Sequence, residues 1–395
     1  MTSRIPDLAG SRTVPEPVPF AEFVVKVHSR CDLACDYCYM YTPGDSSWRA
    51  RPRVIPAEVV ARTAERIAEH VHGHGLRGIG LVLHGGEPLL AGASVLRSVV
   101  ESVRAAVGPG CTVDVSLQTN GLRIDAGFVE LFLELGIGVS LSLDGAAADH
   151  DRHRADHRGR GSHARVVKAL ELLRGADAPG LFTGLLCVLD VAADPVRTLE
   201  ALFAHDPPLV DLMLPHASWA APPPRTAGSA AVYGHWLAAA FDHWYDTRPP
   251  GPTVRIFQEI LVTLLGGPST IETVGTSPAG VVVVETDGAI EQVDSLKAIY
   301  PGAAGTGLDV VHDSFDAALG HPGVLARQSG RAALADACVA CALVESCGGG
   351  YYPHRYHPET GFRSPSVYCA DLYHLITHIR DRVRHDLTVP AGACP

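Results

Sequence analysis

The stretch VHSRCDLACDYCYMY, residues 27–41, sets Cys31, Cys35 and Cys38 close together at the end of an apolar run. Two of these thiols can join as a disulfide. Three at x3 then x2 spacing cannot all pair with one another, so the pattern points to a shared ligand. The preceding run EFVVKVH (22–28) reads as a β-strand. The cysteines then occupy the loop at that strand's C-terminal end, where β/α barrels build their active sites. Three thiolates hold three irons of a 4Fe–4S cube and leave the fourth without a protein ligand. An open metal position is where chemistry happens. A structural zinc site is the competing reading. It needs a fourth Cys or His nearby, and His28, within or at the end of the strand, is a poor candidate.

Outward from this stretch the chain alternates. Strand-like runs IGLVLH (79–84), TVDVSLQ (112–118), IGVSLSL (137–143), LFTGLLCVL (181–189) and LVDLMLP (209–215) are interleaved with helical patterns at 56–72, 127–136, 162–175 and 195–204. About six β/α units, with strands apolar enough to be buried on both faces, predict a parallel sheet wrapped by helices. That is too few for a closed eight-unit barrel, so the fold class is α/β, a partial (β/α)6 barrel. Two helices, at 228–247 and 255–265, precede a hairpin over 278–293 that turns at Asp287-Gly288. A tail rich in Cys, Gly and aromatics follows. The expected division is a loose arm over 1–20, the barrel over 21–225, a helical bridge over 226–277 and a small cysteine-rich α+β domain over 278–395.

Composition narrows the partners. The 395-residue chain is 47% hydrophobic and 19% charged, as soluble globular proteins are, with a net charge of −11. Only three of its cations are lysines, Lys26, Lys168 and Lys297. Such a balance argues against a nucleic-acid surface. No apolar run approaches the ~20 residues that span a bilayer, and the Pro-rich start has no signal-peptide core. The expectation is a cytoplasmic protein with reduced thiols, whose ten cysteines serve as ligands more than as disulfides.

The cysteine spacing, with Tyr37 before the last cysteine, resembles the radical S-adenosylmethionine (radical SAM) superfamily. There the open iron chelates S-adenosylmethionine, and its one-electron cleavage gives a 5′-deoxyadenosyl radical that takes a hydrogen atom from a C–H bond. LHGGEPLL (83–90), with Gly85, Gly86 and Glu87, resembles the GGE motif that contacts the cofactor's amino group. QTNG (118–121), with Thr119 and Asn120, follows the third strand. SLDG (142–145) follows the fourth and places Ser142 and Asp144 where the family contacts ribose and carboxylate. Arg154, in HDRHRADHRGRGSH (150–163), is the candidate carboxylate clamp.

A second set, Cys338-x2-Cys341-x5-Cys347 with Cys369 beyond, reads from spacing alone as four-cysteine zinc. The tail, however, resembles the SPASM extension of peptide-modifying radical SAM enzymes, which implies a fully ligated auxiliary 4Fe–4S cluster. The full SPASM pattern has cysteines where this chain has Val293 and Tyr351, so two clusters are expected and not three. Anaerobic sulfatase-maturing enzymes place a catalytic Asp after the hairpin cysteine, and Asp294 stands there. KVHSRCDLACDYCYMY and VVVVETDGAIEQVDSLK look closest to FxsB-type enzymes. That resemblance implies an oxidoreductase of peptide biosynthesis, acting on a ribosomally made precursor peptide with an external flavodoxin- or ferredoxin-like electron donor. Its product would be a three-residue cyclophane, an aromatic ring carbon joined to a side-chain β-carbon. Other outcomes on the same scaffold are thioether or ether crosslinking, epimerisation and formylglycine formation. From another class, a non-catalytic zinc protein that binds a peptide fits the cysteines as well, and a tRNA-modifying enzyme is disfavoured by the charge.

Overall fold

The computed structural model describes residues 16–41, 45–225, 230–247 and 251–388. The expected arm is therefore seen only from residue 16, and Cys394 lies outside the described residues. Six strands run parallel and in chain order: β1 (Glu22–His28), β2 (Gly78–Gly85), β3 (Thr112–Thr119), β4 (Ile137–Ser142), β5 (Phe182–Val188) and β6 (Leu209–Met213). The crossovers carry α1 (Ala57–His74), α2 (Ala93–Val107), α3 (Ala126–Leu135), α4 (Ala147–His153), α5 (His163–Gly175) and α6 (Pro195–Phe203). Local chemistry sets their ends. The Asp125 carboxylate accepts the Phe128 N–H at 3.0 Å to open α3, and Gly136, at φ +60°, closes it in the left-handed conformation.

The partial (β/α)6 barrel expected from the sequence is present. It continues at both ends. The short β7 (Thr253–Val254) pairs with β6, and β8 (Val281–Val284) pairs parallel with β1. The hairpin partner β9 (Ala289–Glu291) and then β10 (Gly305–Asp309) extend the sheet antiparallel. The order is β10-β9-β8-β1-β2-β3-β4-β5-β6-β7, so β10 and β7 are edges and the barrel stays open. The chain thus passes residue 278 without leaving the sheet. Between β6 and β8 lie α7 (Val232–Asp246) and α8 (Arg255–Leu264).

The strands differ from their expected burial on both faces. Along β2 every second side chain is buried, while Val82 and His84, between them, border a cavity of about 760 Å³. The inner face of the barrel is a lined space, and only the outer face is packed under helices. The packed face belongs to one core that runs from Phe20 to Ile379. Among the described residues no helix is long and apolar enough to cross a membrane.

Candidate active site

The cavity opens against the loop after β1. Cys31, Cys35 and Cys38 all border it, partly buried. The loop after β2 presses on this one. Gly86 N–H donates to the His28 carbonyl at 2.8 Å and Glu87 N–H to the Arg30 carbonyl at 3.0 Å. A β-carbon at Gly85 would stand 2.3 Å from the His28 carbonyl oxygen. The two glycines thus let this loop pack directly on the backbone of the β1 end and the cysteine loop. Burial pushes the Cys35 thiol up to about 11 and raises Cys31 and Cys38 as well. Such thiols are poor nucleophiles and give up their protons to a metal centre.

The geometry also weighs zinc against a larger group. A Zn–S bond of about 2.3 Å puts tetrahedral sulfurs roughly 3.8 Å apart. Among the described residues, the one set of three or more ligand atoms within 4.8 Å of one another is His70, His74 and Asp316. Neither cysteine set is that compact, which suits a cube better than a single ion. The His70 group is itself no open site. Phe20 N–H donates to His70 Nε2 at 3.0 Å, so the ring proton sits on Nδ1 and is given to Asp316 at 2.6 Å.

The other motif residues gather on the same rim. Glu87 is fully buried and ties two loops together, accepting from Leu89 N–H at 3.0 Å, Thr119 Oγ1 at 2.7 Å and Asn120 N–H at 2.9 Å. Burial pushes it up to about 7 against these donors. Asn120 reaches Asp32 in the cysteine loop at 2.8 Å. Tyr37 donates to Asp144, and Arg154 Nη1 donates to the Tyr37 oxygen at 2.7 Å. Asp144 also accepts the Val188 N–H at 3.0 Å. A further chain fixes Arg154: Asp144 N–H to His150 Nδ1, His150 Nε2–H to Ser162, and the Ser162 hydroxyl to the Arg154 carbonyl at 2.6 Å. Arg154 Nε is buried without a hydrogen-bond partner. A buried guanidinium with an unmet donor suits an anionic oxygen, so the residues fit the carboxylate of S-adenosylmethionine. Ser142 borders the same space.

Asp294, delivered by the hairpin at the start of a 3-10 turn, faces the cavity too. Its Oδ2 accepts from the fully buried Lys26 ammonium and from the Tyr39 hydroxyl at 2.9 Å. Burial alone would raise this carboxyl, but the charge and hydrogen bond of Lys26 outweigh it and hold it well below the usual carboxylate range. Lys26, His84 and Tyr39 stood outside the sequence reading. A lysine alternating with valines in VVKVH, on the same strand face as Val24, is the signal that marks them. His216 and Tyr351 line the wall beside Asp294, His216 packing edge-on against Tyr39 at 4.8 Å. Tyr351, at a missing ligand position, meets Ser295 Oγ at 2.6 Å instead.

The second cysteine set lies off the cavity. Cys338, Cys341, Cys347 and Cys369 come from three short segments and the start of the C-terminal helix Cys369–Thr388, and each thiol lies within electrostatic range of at least two others. Burial pushes Cys347 up to about 12. The structure places the four in one neighbourhood.

Residues 25–202 match the sequence profile of the Radical SAM superfamily. A serine-type anaerobic sulfatase-maturating enzyme of Klebsiella aerogenes is 37% identical over 162 residues, 40% of this chain. The match spans 37% of that enzyme's length. The cysteine-type enzyme of Clostridium perfringens is 25% identical over 284 residues, 70% of this chain and 74% of its own. The solved structure of native anSMEcpe with bound AdoMet superposes with a TM-score of 0.77 at 21% identity, covering 93% of this chain and 100% of that one. Streptococcus suis SuiB bound to precursor peptide SuiA gives 0.60 at 12% identity, over 89% and 76%. Residues 25–202 and the region after them therefore share one fold with both.

Proposed function

We propose that the protein is a radical SAM maturase that oxidises a side chain of a ribosomally made precursor peptide. One observation carries this reading: the carboxylate of Asp294 faces the same cavity as the loop of Cys31, Cys35 and Cys38. Cys31, Cys35 and Cys38 would hold the first 4Fe–4S cluster. Cys338, Cys341, Cys347 and Cys369 would hold an auxiliary one. Tyr37, Gly85, Gly86, Glu87, Thr119, Asn120, Ser142, Asp144 and Arg154 surround the place for S-adenosylmethionine. When bound, the first cluster, reduced by a flavodoxin- or ferredoxin-like donor, and the cofactor would supply hydrogen-atom abstraction, and the auxiliary cluster would take up the electron that the substrate then loses. The chain's own part is orientation and proton traffic. Arg154 clamps a carboxylate. The lined cavity keeps bulk water from the reacting carbon. Asp294 accepts the proton that the substrate releases as it is oxidised, and Lys26 keeps that carboxyl ionised beforehand.

Two products fit. The sulfatase-maturating relatives favour oxidation of a Ser or Cys side chain to formylglycine. The aromatic wall of Tyr39, His216, Tyr351 and His354 beside Asp294 favours seating a ring and closing a ring-to-β-carbon crosslink. Hydrazide capture of the peptide product separates them, since only formylglycine carries an aldehyde. The parent reading is tested on anaerobically reconstituted enzyme. Wild type should hold about eight irons, four per cluster, and release deoxyadenosine from S-adenosylmethionine with dithionite. Replacing Cys31, Cys35 and Cys38 by Ala should halve the iron and abolish release. Undiminished release from that variant overturns the proposal.

A further inference from the structure

The chain after Cys347 runs through Gly348, Gly349 and Gly350, all three left-handed at φ +58°, +76° and +74°. Only glycine takes three such turns in a row without strain. Two of the carbonyls in this coil meet Arg355. Its Nη2 donates to the Gly348 carbonyl at 2.7 Å and to the Gly350 carbonyl at 2.6 Å, and its Nε to Gly350 at 3.0 Å. A β-carbon at Gly349 would stand 3.5 Å from Arg355 Cζ, so the guanidinium lies directly against the loop that leaves Cys347. Arg355 is buried, and among the described residues no carboxylate pairs with it. Glu272, which borders the same small pocket, is ion-paired with Arg327. Tyr352, whose ring lies 5.8 Å from Arg355 Cζ, is a neutral phenol with its pKa raised by burial. Burial pushes the Arg355 pKa down, and after Tyr352 the groups that oppose this are Cys347 and Cys338. A buried charge without a counter-ion is costly. Carbonyl dipoles ease the cost and leave the charge uncancelled. Four thiolates around an iron–sulfur core carry the net negative charge that would balance it.

We propose that Arg355 is the buried counter-charge of the auxiliary cluster and raises its reduction potential, so that the cluster accepts the one electron the peptide loses. Reduction adds one negative charge to the cluster, and a cation held beside it in a dry setting favours that state. This rests on the reading of the second cysteine set as iron–sulfur given above. The test uses the full chain with Cys31, Cys35 and Cys38 replaced by Ala, reconstituted anaerobically, so that only the second set holds a cluster. Reduction is followed by electron paramagnetic resonance at a series of fixed potentials. Arg355→Gln keeps N–H groups for the loop carbonyls and removes the charge. At the parent midpoint its ratio of reduced to oxidised cluster should fall about tenfold, a potential lower by about 59 mV for one electron. Arg355→Lys keeps the charge with fewer hydrogen bonds and should stay close to the parent. A role limited to holding the loop predicts the reverse order. Gln at the parent potential, equal shifts in Gln and Lys, or loss of the cluster from both overturns the proposal. Loss from Gln alone, with Lys at the parent potential, supports it. A parent chain that binds zinc or no iron overturns the auxiliary-cluster reading itself, whereas about four irons per chain with equal potentials overturns only the role of Arg355.

Discussion

A methyl group at Gly86 would meet the Tyr41 hydroxyl at 1.8 Å and the Arg30 carbonyl at 2.6 Å. The backbone carbonyl cannot swing aside without reshaping the cysteine loop. Gly86→Ala should therefore cost roughly 1–3 kcal/mol, read as a lower urea midpoint, and lower the iron bound per chain on reconstitution. Asp294→Asn tests the other side of the cavity. It keeps shape but leaves the buried Lys26 ammonium facing a neutral group, at a cost of about 3–5 kcal/mol. Adding Lys26→Met should return much of that stability without restoring peptide oxidation, and a double-mutant cycle in urea checks the coupling. The cysteines, GGE and Asp294 were legible because each follows a recognisable strand or hairpin. Lys26 and His84 were not sought. Each is one polar letter in an apolar run, and only the parallel register of two strands far apart in sequence brings them together.

The C-terminal helix begins at Cys369, and two residues later Asp371, fully buried, accepts the Tyr233 and Gly234 N–H groups of α7 at 2.9 and 3.0 Å. Arg225 completes the site at 2.7 Å. One helix thus caps another across the molecule. Asp371→Ala should remove about 2–4 kcal/mol, from the lost cap and the stranded arginine, measured by chemical denaturation. The helix that begins at Cys369 is thereby tied to the barrel's flank. Most elements were readable from periodicity. The helix α2 was readable too, from Leu96, Val99, Val100, Val103 and Val107, yet it stood outside the sequence reading. The pairing of β8 with β1 was not readable, since a hairpin's turn is local chemistry while its outer partner is decided by tertiary packing.

Across the whole molecule several histidines are buried neutral. His84 and His216 are lowered to about 4 and His150 to about 3, burial being the first cause in each, and burial lowers His354 as well. The sign is set by the unfolded chain, which takes up protons near the ordinary histidine value while the folded one refuses them. Stability is therefore full above pH 6.5 and lost as pH falls toward 4. At pH 5 each such group should cost about 2 kcal/mol. Urea titrations at pH 7.5, 6.5 and 5 should show a steep decline below 6.5, and a flat profile would contradict the buried neutral rings. The barrel and its open seam were foreseen from the strand count, whereas the cavity was not, because apolar strands look alike whether they face side chains or a space. The continuous sheet has a last consequence. With β8 hydrogen-bonded to β1, the hairpin that delivers Asp294 and the strand that feeds the cysteine loop move as one rigid plate. One sheet thus carries both the carboxylate and the thiol loop, and the spacing between them acts as a ruler. On the function proposed above, a peptide would then be sorted by how far its side chain extends from the backbone.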